Sequence, residues 1–259
     1  MLQDIRRSLY IELLRKFLLS CALFAALFVV LMLIEHFVPN LKGTLLRWTD
    51  WDFIVGIPAS VVGVAYVMTI ANPNNYLGFY AGILMALLLS VQFYLIGSYD
   101  LVLLYLFVFI PFLIMSIKNW KQTQITSQEN PPAFLPAKRF AWVIFTFVVI
   151  IFLDYLLTTF VLTENNKGVL LADWQIKLVS AIMIGSSFFA NLLLIKKKNE
   201  AWIFWILYSI SGIIFYILVN NIFSIFLFVI FMLVNANAQV AWFKNTKTKD
   251  MGWVSQLKI

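Results

Sequence analysis

The chain has 259 residues, 63% of them hydrophobic and only 12% charged, with 25 Phe, 10 Tyr and 9 Trp. A soluble domain is about 45–50% apolar and ~25% charged, so this much apolar surface requires lipid as its solvent. One Cys (Cys21) and one His (His36) exclude an internal disulfide, a thiolate cluster and a His-built metal site, and the formal charge of +7 sits in loops and tails, where it reports topology instead of nucleic-acid binding.

Eight apolar runs are each long enough to cross a hydrocarbon core of about 30 Å. They lie at about 17–37, 52–71, 76–96, 100–117, 140–162, 175–195, 201–219 and 221–243. The first run spans without a small-residue cleavage site, so no cleavable signal peptide is expected. Asn72, Pro73, Asn74 and Asn75 break the chain after the second run, because Pro lacks an amide donor and Asn favours turns. Gly97, Ser98 and Asp100 form a tight turn after the third. The polar stretch from Gln122 to Pro136 holds three prolines and reads as a loop. Asn220 and Asn221 separate the last two runs.

Basic residues orient the spans. With the N-terminus inside, fifteen of the nineteen Lys and Arg fall on the inner side, and only Lys42, Arg47, Lys167 and Lys177 fall outside. That bias predicts a multi-pass protein of the cell membrane with both termini cytoplasmic.

The spans also repeat. Asp50-Trp51 precedes the second and Asp173-Trp174 the sixth, an offset of 123; Trp120 follows the fourth and Trp242 ends the eighth, an offset of 122. The expected fold is all-α, eight transmembrane helices arranged as 1+3+1+3. The parts are an N-terminal segment with an extra helix (1–48), a first three-helix repeat (49–121), a cytoplasmic loop with a linker helix (122–170), and a second repeat with a tail (171–259). One crossing between the triplets makes the repeats parallel, an arrangement that places substrate at their interface near the midplane. The competing reading takes these tryptophans as interfacial anchors only.

Ala190-Asn191, then Lys196-Lys197-Lys198, Glu200, Trp202 and Trp205, resemble the start of the second repeat in the PnuC family of vitamin transporters. The first repeat resembles that family at Asn75-x-x-Gly78, Gly97-x-Tyr99-Asp100 and Trp120. The resemblance implies a fold similar to the SWEET-type sugar transporters, a homotrimer, and facilitated diffusion of nicotinamide riboside, thiamine, riboflavin or deoxynucleosides. The chain departs from the family pattern in three places: Ser209 stands where nicotinamide riboside carriers often have Asn, Leu104 and Tyr105 stand in the region where Gln is frequent, and Gln239 replaces a Gly of the last helix.

Candidate site residues follow. Trp202 and Trp205 lie one helical turn apart and share a face that Tyr208 and Ser209 extend. Indoles stack on flat heteroaromatic rings, although spacing alone also fits an interfacial belt, the more so for Trp202. Asn235, Asn237 and Gln239 place amides on the last helix, where they either join helices or read a ligand; side chains two apart diverge, so one pocket does not take all three. Asn191, Gln92, Tyr94 and Tyr105 complete the substrate-binding candidates. Asp154 is the acid well inside a span, read here as structural over functional, and Glu35 and His36 are expected to be solvated.

Enzyme motifs, a phosphate-cradling loop and metal-ligand spacings do not occur in the sequence. No catalytic residue, metal, cofactor or nucleic-acid partner is expected. The expected function is uptake of a nucleoside-like vitamin, nicotinamide riboside first and deoxynucleosides next, with trapping by a separate kinase. A membrane scaffold or an intramembrane enzyme is the alternative of another class.

Overall fold

A computed structural model describes residues 2–38, 49–73, 75–125, 132–160, 174–219 and 222–246, together with 40, 43, 45 and 46. Among them the chain is helical: α1 (Leu2–Phe37), α2 (Trp51–Ile70), α3 (Gly78–Ile96), α4 (Tyr99–Leu103), a π-helical turn (Leu104–Phe109), α5 (Ile110–Ile125), α6 (Ala137–Phe160), α7 (Trp174–Ile195), α8 (Glu200–Leu218) and α9 (Ile222–Lys244). Among the described residues, eight spans are long and apolar enough to cross a membrane, with α4, the π turn and α5 acting as one from Tyr99 to Thr123.

These spans agree with the expected runs, with three differences. First, α1 begins at Leu2, well before position 17. Its early turns are held against the protein by Glu12, whose carboxylate accepts from Asn72 Nδ2 (3.1 Å) and Asn75 Nδ2 (2.9 Å) at the α2–α3 turn. Second, the fourth span is not one continuous α-helix. Pro111 has no amide proton and its ring crowds the carbonyl four residues earlier; the wider π turn just before it absorbs that conflict. Third, α5 runs through Gln122 to Ile125, so the polar loop starts later than expected. Asn74, Asp173, Asn220 and Asn221 lie outside the described residues.

Helix ends follow local chemistry. α3 closes in a Schellman motif: Gly97 N donates to Tyr94 O (3.2 Å) and Ser98 N to Phe93 O (2.9 Å), with Gly97 at φ 90°. α7 closes the same way, with Lys197 N to Leu194 O (3.0 Å) and Lys198 N to Leu193 O (3.0 Å), but the left-handed position is Lys197 at φ 50°. Glu35, expected to be solvated, instead accepts from the backbone amides of Leu45 (2.8 Å) and Leu46 (2.9 Å), tying the α1–α2 connection to the end of α1. His36 is exposed.

α2, α3 and α5 pack in sequence, as do α7, α8 and α9. The two groups meet through α2 against α9 and α5 against α7, while α1 packs on α2 and α6 on α7. Small residues permit the closest approaches. A Cβ at Gly212 of α8 would overlap the Phe228 ring of α9, and one at Gly63 of α2 would meet Phe231 at 2.8 Å and Met85 at 2.9 Å. Gly212→Ala is therefore expected to spread α8 from α9 and cost about 1–3 kcal/mol, read as a lower melting temperature in detergent; an unchanged melting temperature would show that Phe228 yields freely.

Candidate functional site

Where the two groups of helices meet, aromatic side chains converge. Trp205 of α8 is 1% exposed and touches rings from three elements edge-on: Phe109 at the end of the π turn (5.9 Å), Tyr66 of α2 (6.3 Å) and Tyr208 of its own helix (5.4 Å). Tyr105, in the π turn, stacks on Phe93 of α3 at 5.6 Å and 16°, and its hydroxyl hydrogen-bonds the Tyr208 hydroxyl across the interface. Phe228 of α9 backs Tyr208 at 5.4 Å. The result is an aromatic box with walls from α2, α3, the π turn, α8 and α9.

Polar groups enter this box around Trp205. Asn235 is fully buried on α9 and donates through Nδ2 to Ser209 Oγ (3.0 Å) and to Trp205 O (3.2 Å). Ser209 Oγ itself donates to Trp205 O (2.8 Å). The amide donor of Asn235 is thereby consumed within the protein, whereas Asn235 Oδ1, Trp205 Nε1 and Tyr66 Oη are buried and make no hydrogen bond among the described residues. One acceptor, one donor and one hydroxyl of either sense thus stand unmatched in an aromatic surrounding. Buried polar groups are ordinarily paired, so these three unmatched groups mark the candidate site.

The structure brings together Trp205, Tyr208, Ser209, Asn235 and Tyr105. Gln92 is 2% exposed and lies against Gly56 of α2. Asn191 is buried, with Nδ2 bonded to Ser187 O at 2.8 Å. Trp202 is fully buried and packs edge-on against Trp242 at 5.3 Å. Two residues are placed elsewhere. Tyr94 is 62% exposed and meets Tyr99 alone among the described aromatic rings, and Asn237 is exposed, because positions two apart on α9 point away from one another. Gln239, one turn from Asn235, is half-buried, with an unpartnered Oε1. Tyr66, Phe93 and Phe109 escaped the sequence reading, because an aromatic inside an apolar run reads as core. The usable signal was Tyr66 itself, a hydroxyl in mid-span that needs a partner.

One end of the interface is closed by two indoles. Trp120, at the end of α5, donates Nε1 to Leu194 O near the end of α7 (3.2 Å); Trp242, at the end of α9, donates Nε1 to Ala71 O at the end of α2 (2.8 Å). Trp120 and Trp242 lie 6.0 Å apart, and Asn119 Nδ2 adds a bond to Ile195 O (2.5 Å). By contrast Trp51 and Trp174, at the starts of α2 and α7, are exposed as anchors would be. Lys197 covers this end, its Nζ 5.0 Å above the Trp120 ring, while its backbone pairs with Ala133 and Glu200 Oε1 accepts from Leu135 N (2.7 Å).

Burial pushes the Lys197 ammonium down from its ordinary 10.5 to about 8. Between these values the unfolded chain holds the proton and the folded one does not, so this residue's contribution makes stability rise with pH from about 8 to about 10.5. Lys197→Met keeps the stem and removes the charge; the wild-type melting temperature is expected to gain on that of the variant as pH rises from 8 to 10, and parallel curves would rule this out.

The comparisons agree with this architecture. Residues 53–244 match the family described as nicotinamide mononucleotide transporter. A solved structure described as "Crystal structure of the Vitamin B3 transporter PnuC" aligns over 91% of this chain and 90% of its own, with a TM-score of 0.60 and 14% identity, a likeness of fold. No curated protein matches the chain. The family match spans both helix groups and every wall of the aromatic box, and it identifies the chain as a multi-pass member of the nicotinamide mononucleotide transporter family, a family of membrane transporters and not of enzymes.

Proposed function

We propose that this chain carries nicotinamide riboside across the cell membrane by facilitated, alternating access. The observation that carries the reading is the unmatched trio of Trp205 Nε1, Tyr66 Oη and Asn235 Oδ1 inside the aromatic box. The faces of Trp205 and Tyr105 suit a pyridine ring. The free Asn235 acceptor suits a carboxamide N–H or a ribose hydroxyl, and the Trp205 donor suits a carbonyl or hydroxyl oxygen. Ser209 supplies no direct contact in this reading but fixes the Asn235 amide. Trp202, Asn191 and Gln92 belong to the surrounding wall. The described neighbour, a vitamin B3 transporter, supports the same substrate class.

The moving parts in this proposal are two parallel three-helix bundles, α2 to α5 and α7 to α9, with α1 ahead of the first and α6 linking to the second. The crossed indole bonds support it: each bundle's last helix donates to the end of the other's first helix. The four positions carry the offsets of 122 and 123. The Lys196–Lys198 end is taken as cytoplasmic, with both termini on that side, and the outer face of α6, with exposed Trp142, Phe145, Val148 and Phe152, is taken to serve a homotrimer.

Deoxynucleosides are the second reading, favoured by Ser209 standing in place of the family Asn. The test is a binding and proteoliposome-uptake screen of the purified protein with nicotinamide riboside, thiamine, riboflavin and deoxynucleosides. Saturable binding and uptake of nicotinamide riboside is the expected result. Preference for a deoxynucleoside would move the chain to the second reading, and response to none would end both.

A further inference from the structure

The end of the interface opposite the indoles gathers oxygen ligands that the aromatic box does not use. Asp100, at the start of α4, is 6% exposed and accepts a hydrogen bond from the Ser180 hydroxyl of α7. Asp154 of α6 is half-buried, and its Oδ2 is buried with no hydrogen-bond partner. Among the described charges, Asp100 is the one that acts on Asp154, and no described Lys or Arg acts on either carboxyl group. Thr158 stands one turn from Asp154 on the same face of α6. It is 5% exposed, its Oγ1 has no partner, and it is the one buried residue of that helix. α6 packs on α7, the helix that carries Ser180. Ser98, beside Asp100, is 1% exposed with an unpartnered Oγ.

We propose that Asp100 and Asp154, with the hydroxyls of Ser98, Thr158 and Ser180, form a site for one monovalent cation at this end of the bundle interface. Two carboxylates on different helices that act on one another repel, and the repulsion is relieved by a proton on one of them or by a cation between them; the unpartnered Asp154 Oδ2, Thr158 Oγ1 and Ser98 Oγ favour the cation. Acids within a span are expensive and are retained where they serve an ion or substrate path. The donor set is entirely oxygen, which suits a hard cation such as sodium and equally attracts a pyridinium ring. The site lies outside the box around Trp205, and in the proposed orientation it faces the outside, where substrate arrives. The inference rests on the transport reading for its role, and the cation comes either from the substrate ring or from the medium.

The test uses the full-length protein in proteoliposomes, with cationic nicotinamide riboside and its neutral dihydro form as probes, each with external sodium or with N-methylglucamine in its place. A ring site predicts that wild type prefers the cationic form and that Asp154→Asn lowers its uptake about tenfold, equivalent to 1.4 kcal/mol, while sparing the neutral form. A sodium site predicts that both forms need sodium in wild type and that Asp154→Asn abolishes that requirement. Thr158→Val tests the same expectations without altering charge. The proposal is overturned if wild type shows neither charge preference nor sodium dependence, a result that needs no variant to fold. It is also overturned if Asp154→Asn matches wild type under all four conditions. Uptake of neither form by wild type would end the transport reading instead. The cation site would then stand or fall on whether sodium raises the wild-type melting temperature and fails to raise that of Asp154→Asn.

Discussion

Trp205→Ala is expected to abolish measurable nicotinamide riboside binding. The indole is the only described side chain that touches the rings of both Tyr66 and Phe109 as well as Tyr208, so its removal opens the box on three sides. Loss of a stacking face costs about 1–3 kcal/mol, roughly five- to 150-fold in affinity, and the unmatched Nε1 donor goes with it. The truncation also leaves a cavity in the helix interface, where Trp→Ala changes cost about 3–5 kcal/mol of stability. Two controls separate these effects. Trp205→Phe keeps a ring and loses the donor, so relative to wild type binding should weaken only by one hydrogen bond's worth, about 0.5–1.5 kcal/mol. The melting temperature of each variant without substrate reports the packing loss alone. Calorimetric titration reads the affinities; a Trp205→Ala protein that is folded and binds as wild type removes Trp205 from the site.

The eight spans could be read from the sequence because lipid imposes one rule, unbroken apolar length, and its exceptions are Pro, Gly and Asn turns. Boundaries that failed did so for local reasons. The π turn before Pro111 exists because a proline kept inside a span must be accommodated by backbone, and that accommodation leaves no mark on hydropathy. The candidate site was legible where polar or indole residues interrupt an apolar run, as at Trp205, Ser209 and Asn235. It was illegible at Phe93 and Phe109, since Phe is abundant in lipid-facing and core positions alike. Tyr94 and Asn237 show the opposite failure. Polarity alone nominated them, and helix phase, which depends on how α3 and α9 pack, turned them outward. Glu35 and Glu12 were beyond sequence reasoning because their partners are backbone amides and Asn side chains brought near only by the fold.

The paired tryptophans yield the second large effect. Trp120 and Trp242 donate in opposite directions across one end of the interface, and both rings lie against a third element, Trp120 on Phe79 (4.8 Å) and Trp242 on Trp202 (5.3 Å). Phe in either place keeps an aromatic ring but drops one hydrogen bond, worth about 0.5–1.5 kcal/mol. Because both bonds close the same seam, the double variant should depart from the sum of the singles, as residues sharing one interface do by about 0.5–3 kcal/mol. In the proposed cycle this seam must part to release substrate inward. Weakening it shifts the population toward the parted state, and a smaller closed fraction lowers apparent affinity in proportion. The Trp120→Phe, Trp242→Phe double variant should therefore melt earlier, bind nicotinamide riboside several-fold more weakly and equilibrate it at least as fast per molecule at saturation. Affinity and rate falling together would instead mark the indoles as plain scaffold, and wild-type values in both would show that the seam holds without them.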